Sequence, residues 1–159
     1  MKDTAYTSLA LPAHTDTTYF TDPAGLQMLH LLSHTEGSGG KSLLVDGFKA
    51  GHTLEEEYPY AAKILKETPI SWHASGNDGI TIRPFKRFPV LSFSTHHPEE
   101  LLQVRWNNDD RATLPIRKSV KWYDAARKFD AILKRKDMEY WAQLEPGKPL
   151  SRLTSVSLH

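Results

Sequence analysis

Cysteine is absent from the 159 residues, which excludes disulfides, zinc–thiolate sites, iron–sulfur clusters and cysteine nucleophiles. An excess of either charge is missing too: 20 Lys and Arg stand against 19 Asp and Glu, a formal net charge of +1. No like-charge block concentrates that balance, so the electrostatic footprint of nucleic-acid binding is lacking. Lys134, Arg135 and Lys136 read as a solvated helix end. No apolar run approaches the length that spans a bilayer, and the opening MKDTAYTSLALPAHTD has no signal-peptide core. The chain is therefore read as soluble, cytoplasmic or mitochondrial, with membranes and nucleic acids set aside as partners.

What remains is ordinary for one globular core, with 39% hydrophobic and 25% charged residues. Ala24–Ser33 lies between Asp22-Pro23 and a Glu/Gly/Ser turn, and Lys41–Val45 is a second short apolar run. With Leu9–Asp16, and later Pro89–Ser94 and Leu101–Trp106, they read as short strands. Leu54, Tyr58, Ala61, Ala62 and Leu65 have helical spacing, which predicts one helix over Leu54–Glu67; Ser119–Arg135 predicts a second, capped by Ser119. Strand and helix do not alternate as in a doubly wound sheet. A mainly β barrel or sandwich with attached helices is expected.

Chemistry concentrates at His14-Thr15-Asp16. Residues i and i+2 of a strand project from one face, so an imidazole and a carboxylate can reach one metal ion. Two histidines and one carboxylate leave adjacent positions open on Fe(II), which suits a bidentate 2-oxo acid together with dioxygen. The triplet alone is a weak signal, and a surface turn accounts for it as readily.

Its surroundings are more specific. The stretch Asp3–Phe48 contains AYT, HTD, then P-x-G-[LV]-Q and a GG-x-[ST]-x-x-VDGF ending, followed later by VRWNNDDR at Val104–Arg111 and the segment Trp122–Pro149. In this order they resemble the Fe(II)- and 2-oxoglutarate-dependent oxygenases that include trimethyllysine dioxygenase and γ-butyrobetaine hydroxylase, a TauD-like family.

That resemblance implies a double-stranded β-helix, jelly-roll-like, with residues 1–150 as its oxygenase core and His14 and Asp16 near one mouth as metal ligands. It implies that Ser42 helps hold the carboxylate of 2-oxoglutarate, although a polar turn residue fits Ser42 equally, and that Lys41 faces solvent. Tyr6 matches an aromatic wall for a trimethylammonium group, which cation–π contact recognises because it cannot donate hydrogen bonds. Tyr19, Phe20 and Trp106 are further candidate walls, or core. Asn107, Asn108 and Arg111 are candidates for the zwitterionic end of an amino-acid substrate, or a polar turn after a strand. The implied reaction couples oxidative decarboxylation of 2-oxoglutarate to hydroxylation of an unactivated carbon of trimethyllysine or a related betaine by dioxygen. Ascorbate dependence and a homodimer of the full-length protein are implied in the same way.

The match runs through Trp141, Pro146, Gly147 and Leu150 and then departs. Family members continue with an apolar strand and an NWRxLHGR-like segment carrying the distal histidine ligand, with an arginine for 2-oxoglutarate beyond it; here SRLTSVSLH follows. Residues 151–159 are expected to form an aberrant, frayed tail, the core is expected to be incomplete, and the chain is read as starting partway through a longer protein. His159 is a substitute ligand in principle; His30, His34, His52, His73, His96 and His97 read as packing or surface. Two other readings stay open: a non-catalytic fragment, and a zinc hydrolase using His14 and Asp16.

Overall fold

The computed structural model describes residues 11–34, 37, 40–74, 79–153, 157 and 158. Among the described residues three helices stand where two were expected. Asp46 caps α1 (Gly47–Glu57), its Oδ1 accepting from the amides of Phe48 at 2.9 Å and Lys49 at 3.0 Å. Pro59 then opens α2 (Pro59–Glu67). A residue before proline is driven out of the helical region, and Tyr58 sits at φ −138°, so the spacing that predicts one helix spans two. The third, α3 (Ile116–Leu133), starts three residues before the expected cap. Pro115 precedes it, and the Ser119 hydroxyl donates back to the Ile116 carbonyl from within the first turn.

The strands among the described residues form three small antiparallel sheets. β1 (Leu26–His30) pairs with β6 (Pro149–Leu153); β2 (Lys41–Asp46) lies between β5 (Glu139–Gln143) and β7 (Ser157–Leu158); β3 (Leu91–Phe93) pairs with β4 (Leu101–Val104). Among the described residues no sheet closes into a barrel, and the architecture is mixed helix and strand. Residues 151–153 and 157–158, where fraying was expected, stand in ladders, Leu153 opposite Leu26 and Leu158 opposite Val45. The physical reason is a ready template: β1 and β2 offer backbone edges that a short extended segment can complete.

The core lies where the helices meet the β3–β4 hairpin. Leu54, Leu65, Trp122, Phe129, Leu91 and Val104 are all buried there. Helix α1 packs against β4 through Gly51, where an added Cβ would come within 2.6 Å of Leu101 Cδ2 and oblige that buried side chain to shift. Among the described residues no helix is long and apolar enough to cross a membrane.

Candidate active site

Leu11–Asp16 is not a strand, yet the histidine and the carboxylate still converge. The cause is Thr15, which is 3% exposed and bonded three ways to the backbone of Trp106. Its amide donates to the Trp106 carbonyl at 2.7 Å, its hydroxyl donates to the same oxygen at 3.3 Å, and the Trp106 amide donates to that hydroxyl at 2.8 Å. With Thr15 turned inward, its neighbours on either side turn outward together. His14 Nε2 and Asp16 Oδ1 lie 3.3 Å apart, their side chains 14% and 28% exposed. Thr17 then takes the left-handed conformation at φ 55°, rare for a β-branched residue. The chain turns there, the Phe20 amide donating to the Thr17 carbonyl.

The donor set suits a cation. His14 Nδ1 lies 2.8 Å from the Pro12 carbonyl, which can only accept, so Nδ1 donates there. Nε2 faces a carboxylate oxygen of Asp16, an arrangement that a proton or a metal ion joins. Two donors each ~2.1 Å from a metal and at right angles to it lie ~3 Å apart, close to the observed separation. Asp16 Oδ2 accepts from Gln27 Nε2 at 2.8 Å. Among the described residues no group of three His, Cys, Asp or Glu side chains could hold a metal ion.

His14 and Asp16 open into a cleft of about 460 Å³ that Tyr19, Gln27, Asn107 and Asn108 also line. Among the described residues its carboxylates are Asp16, Asp109 and Asp110, and none of those lining it is Lys or Arg. Burial holds the Asp110 carboxyl above the usual carboxylate range, against the opposing pull of a hydrogen bond from the Thr18 hydroxyl at 2.5 Å. The neighbouring Arg105, 1% exposed, donates to the carbonyls of Thr18, Phe20 and Thr21, so a buried guanidinium ties down the turn that follows the pair. Burial lowers its pKa to about 10, with Asp22 opposing.

Other expected site residues are placed elsewhere. Ser42 stands on β2 opposite Ala142 and is not among the cleft's lining residues. Arg111 turns away: its Nη1 donates to Tyr123 Oη at 2.8 Å and its guanidinium lies 5.0 Å from the Trp122 ring. It is held by α3 and is not among the residues that line the cleft. Trp106 borders the cleft but is 4% exposed and edge-on to Phe129 at 5.1 Å, a core residue first. Phe20 is outside the lining, while Tyr19 is within it. Tyr6 and His159 lie outside the described residues. Thr15, Thr18, Gln27, Arg105 and Asp110 carried no assigned role in the sequence; each has a partner 11 to 92 positions away, and no local spacing signals such pairs.

The family model for taurine catabolism dioxygenases, TauD/TfdA, matches residues 1–150. The chain belongs to the TauD/TfdA family. Within it, the chain is similar to a trimethyllysine dioxygenase of Neurospora crassa, 51% identical over 94% of this chain and 39% of that protein. The mitochondrial trimethyllysine dioxygenase of Bos taurus is 41% identical over 93% of this chain and 36% of its own length. A γ-butyrobetaine dioxygenase of Homo sapiens is 27% identical over 90% and 37%. The chain thus spans little more than a third of the length of these relatives. An asparagine oxygenase in complex with Fe(II), 3-hydroxyasparagine and succinate shares the fold, with a TM-score of 0.64 at 16% identity, over 93% of this chain and 42% of that one.

Proposed function

We propose that this chain carries the His14 and Asp16 side of the metal centre of an Fe(II)- and 2-oxoglutarate-dependent hydroxylase of N6,N6,N6-trimethyllysine, a step of carnitine biosynthesis. The observation that supports it most is the 3.3 Å approach of His14 Nε2 to Asp16 Oδ1 in a chain 51% identical to a trimethyllysine dioxygenase. In this reading His14 and Asp16 hold the iron, which together with 2-oxoglutarate supplies the oxidising chemistry. The chain's own residues bind and orient. A cleft with three carboxylates and neither Lys nor Arg among the described residues that line it attracts a cation, and Tyr19 offers a ring face to a trimethylammonium group. Asn107 and Asn108 present amides, which both donate and accept, to the amino-acid end. Ser42 is proposed as a donor to the 2-oxoglutarate carboxylate, and Tyr6 as an aromatic wall, on family resemblance. We read the three small sheets as parts of a double-stranded β-helix, mitochondrial as in the Bos taurus relative, with ascorbate keeping the iron ferrous.

Succinate release from 2-oxoglutarate, measured with trimethyllysine and with γ-butyrobetaine side by side, tests this. The expected result is trimethyllysine-dependent succinate, with γ-butyrobetaine at least about tenfold poorer. Succinate formation that ignores trimethyllysine, or that favours γ-butyrobetaine, overturns the substrate. A second reading, a non-catalytic fragment that binds metal weakly, is favoured by the two-ligand set among the described residues; it predicts no succinate with either betaine.

A further inference from the structure

Gln27 is set in a position to govern how Asp16 meets a metal. It lies on β1, whose side chains alternate in exposure: Leu26 and Met28 are 61% and 63% exposed on one face, whereas Gln27 and Leu29 line the cleft on the other. The strand is fixed by its pairing with β6, Gln27 standing opposite Arg152. From there the Gln27 side chain reaches back across eleven positions to Asp16, Nε2 to Oδ2 at 2.8 Å. A carboxylate only accepts, so the group facing it is the amide NH₂. The two oxygens of Asp16 therefore have different neighbours: Oδ2 takes the Gln27 amide and Oδ1 faces His14 Nε2.

We propose that Gln27 is a positioning residue that holds Asp16 to one-oxygen ligation of the metal, presenting Oδ1 beside His14 and keeping Oδ2 off the ion. This rests on the metal-centre reading of His14 and Asp16. A carboxylate free to rotate closes on a metal with both oxygens and occupies an extra coordination position; a dioxygenase needs that position for cosubstrate and dioxygen. The amide also limits the rotation of Asp16 before the metal arrives, which strengthens binding.

Co(II) is a suitable probe, since its visible d–d bands report coordination number without turnover. The whole chain is titrated as wild type, Gln27→Met, Met28→Ala and His14→Ala. Gln27→Met keeps the side-chain volume and removes the donor; Met28→Ala perturbs the same strand on its solvent face. We expect wild type to bind Co(II), His14→Ala to lose it, and Met28→Ala to match wild type. Gln27→Met should bind about 10- to 100-fold more weakly and show altered d–d bands, with a circular-dichroism melt like that of Met28→Ala. If Gln27→Met matches wild type in both affinity and spectrum, the positioning role falls while the metal centre stands. If wild type binds no Co(II), or His14→Ala binds as well as wild type, the metal-centre reading falls and the role of Gln27 with it.

Discussion

Asp110 and Thr15 show how much single side chains decide here. The Asp110 carboxyl has its pKa raised in the folded chain, chiefly by burial. The folded state thus keeps this proton to a higher pH than the unfolded state does. Stability from that proton is present at low pH and lost as pH rises through the raised folded value. Asp110→Asn removes the charge, so its melting temperature relative to wild type should be more favourable at pH 7 than at pH 4; an equal difference at both values would refute the burial account. Thr15→Val keeps the shape but leaves the buried Trp106 amide, now bonded at 2.8 Å, without that acceptor. A loss of about 1–3 kcal/mol in urea denaturation is expected, with Thr15→Ser close to wild type. The approach of His14 to Asp16 was legible in the sequence because i and i+2 side chains share a face, a relation that Thr15 preserves without a strand. Asn107 and Asn108 line the same cleft. Gln27, Asp110 and Arg105 were not legible as site residues, since each acts through a distant partner. Arg111, which was singled out, is captured by Tyr123, and nothing in VRWNNDDR announces that contact.

Elements read from the sequence held in type more than in extent. Short strands fall close to where apolar runs and turn residues put them, but Pro59 splits a continuous apolar period into α1 and α2, and α3 begins ahead of Ser119. Periodicity measures which face is buried and is blind to a break that keeps the face in phase. Helix α3 reaches the site through Phe129, which is fully buried and packs edge-on against Trp106, the residue that grips Thr15. Phe129→Ala should therefore cost about 3–5 kcal/mol, and it should weaken metal binding as well as lower the melting temperature. A loss of stability with unchanged metal affinity in the folded fraction would separate the helix from the site. The terminal ladders could not be foreseen, because Ser and Thr suggest a loose tail while the open edges of β1 and β2 exist only in the fold.

Taken whole, the molecule brings a close His14–Asp16 pair and an acidic cleft together with a helical core, and it belongs to the TauD/TfdA family. Composition could exclude thiol chemistry and an electrostatic footprint for nucleic acid, but only the order of specific motifs pointed to an oxygenase. The central claim is that His14 and Asp16 bind iron. Its most direct test is an anaerobic Fe(II) titration of the whole chain with 2-oxoglutarate, which adds donors of its own, read by the visible charge-transfer band of the chelate in wild type, His14→Ala and Asp16→Ala. The account predicts a saturable band in wild type that both substitutions weaken by at least about tenfold, the scale at which loss of even a supporting contact is felt. A wild-type chain without the band, or one whose band survives both substitutions unchanged, would contradict it.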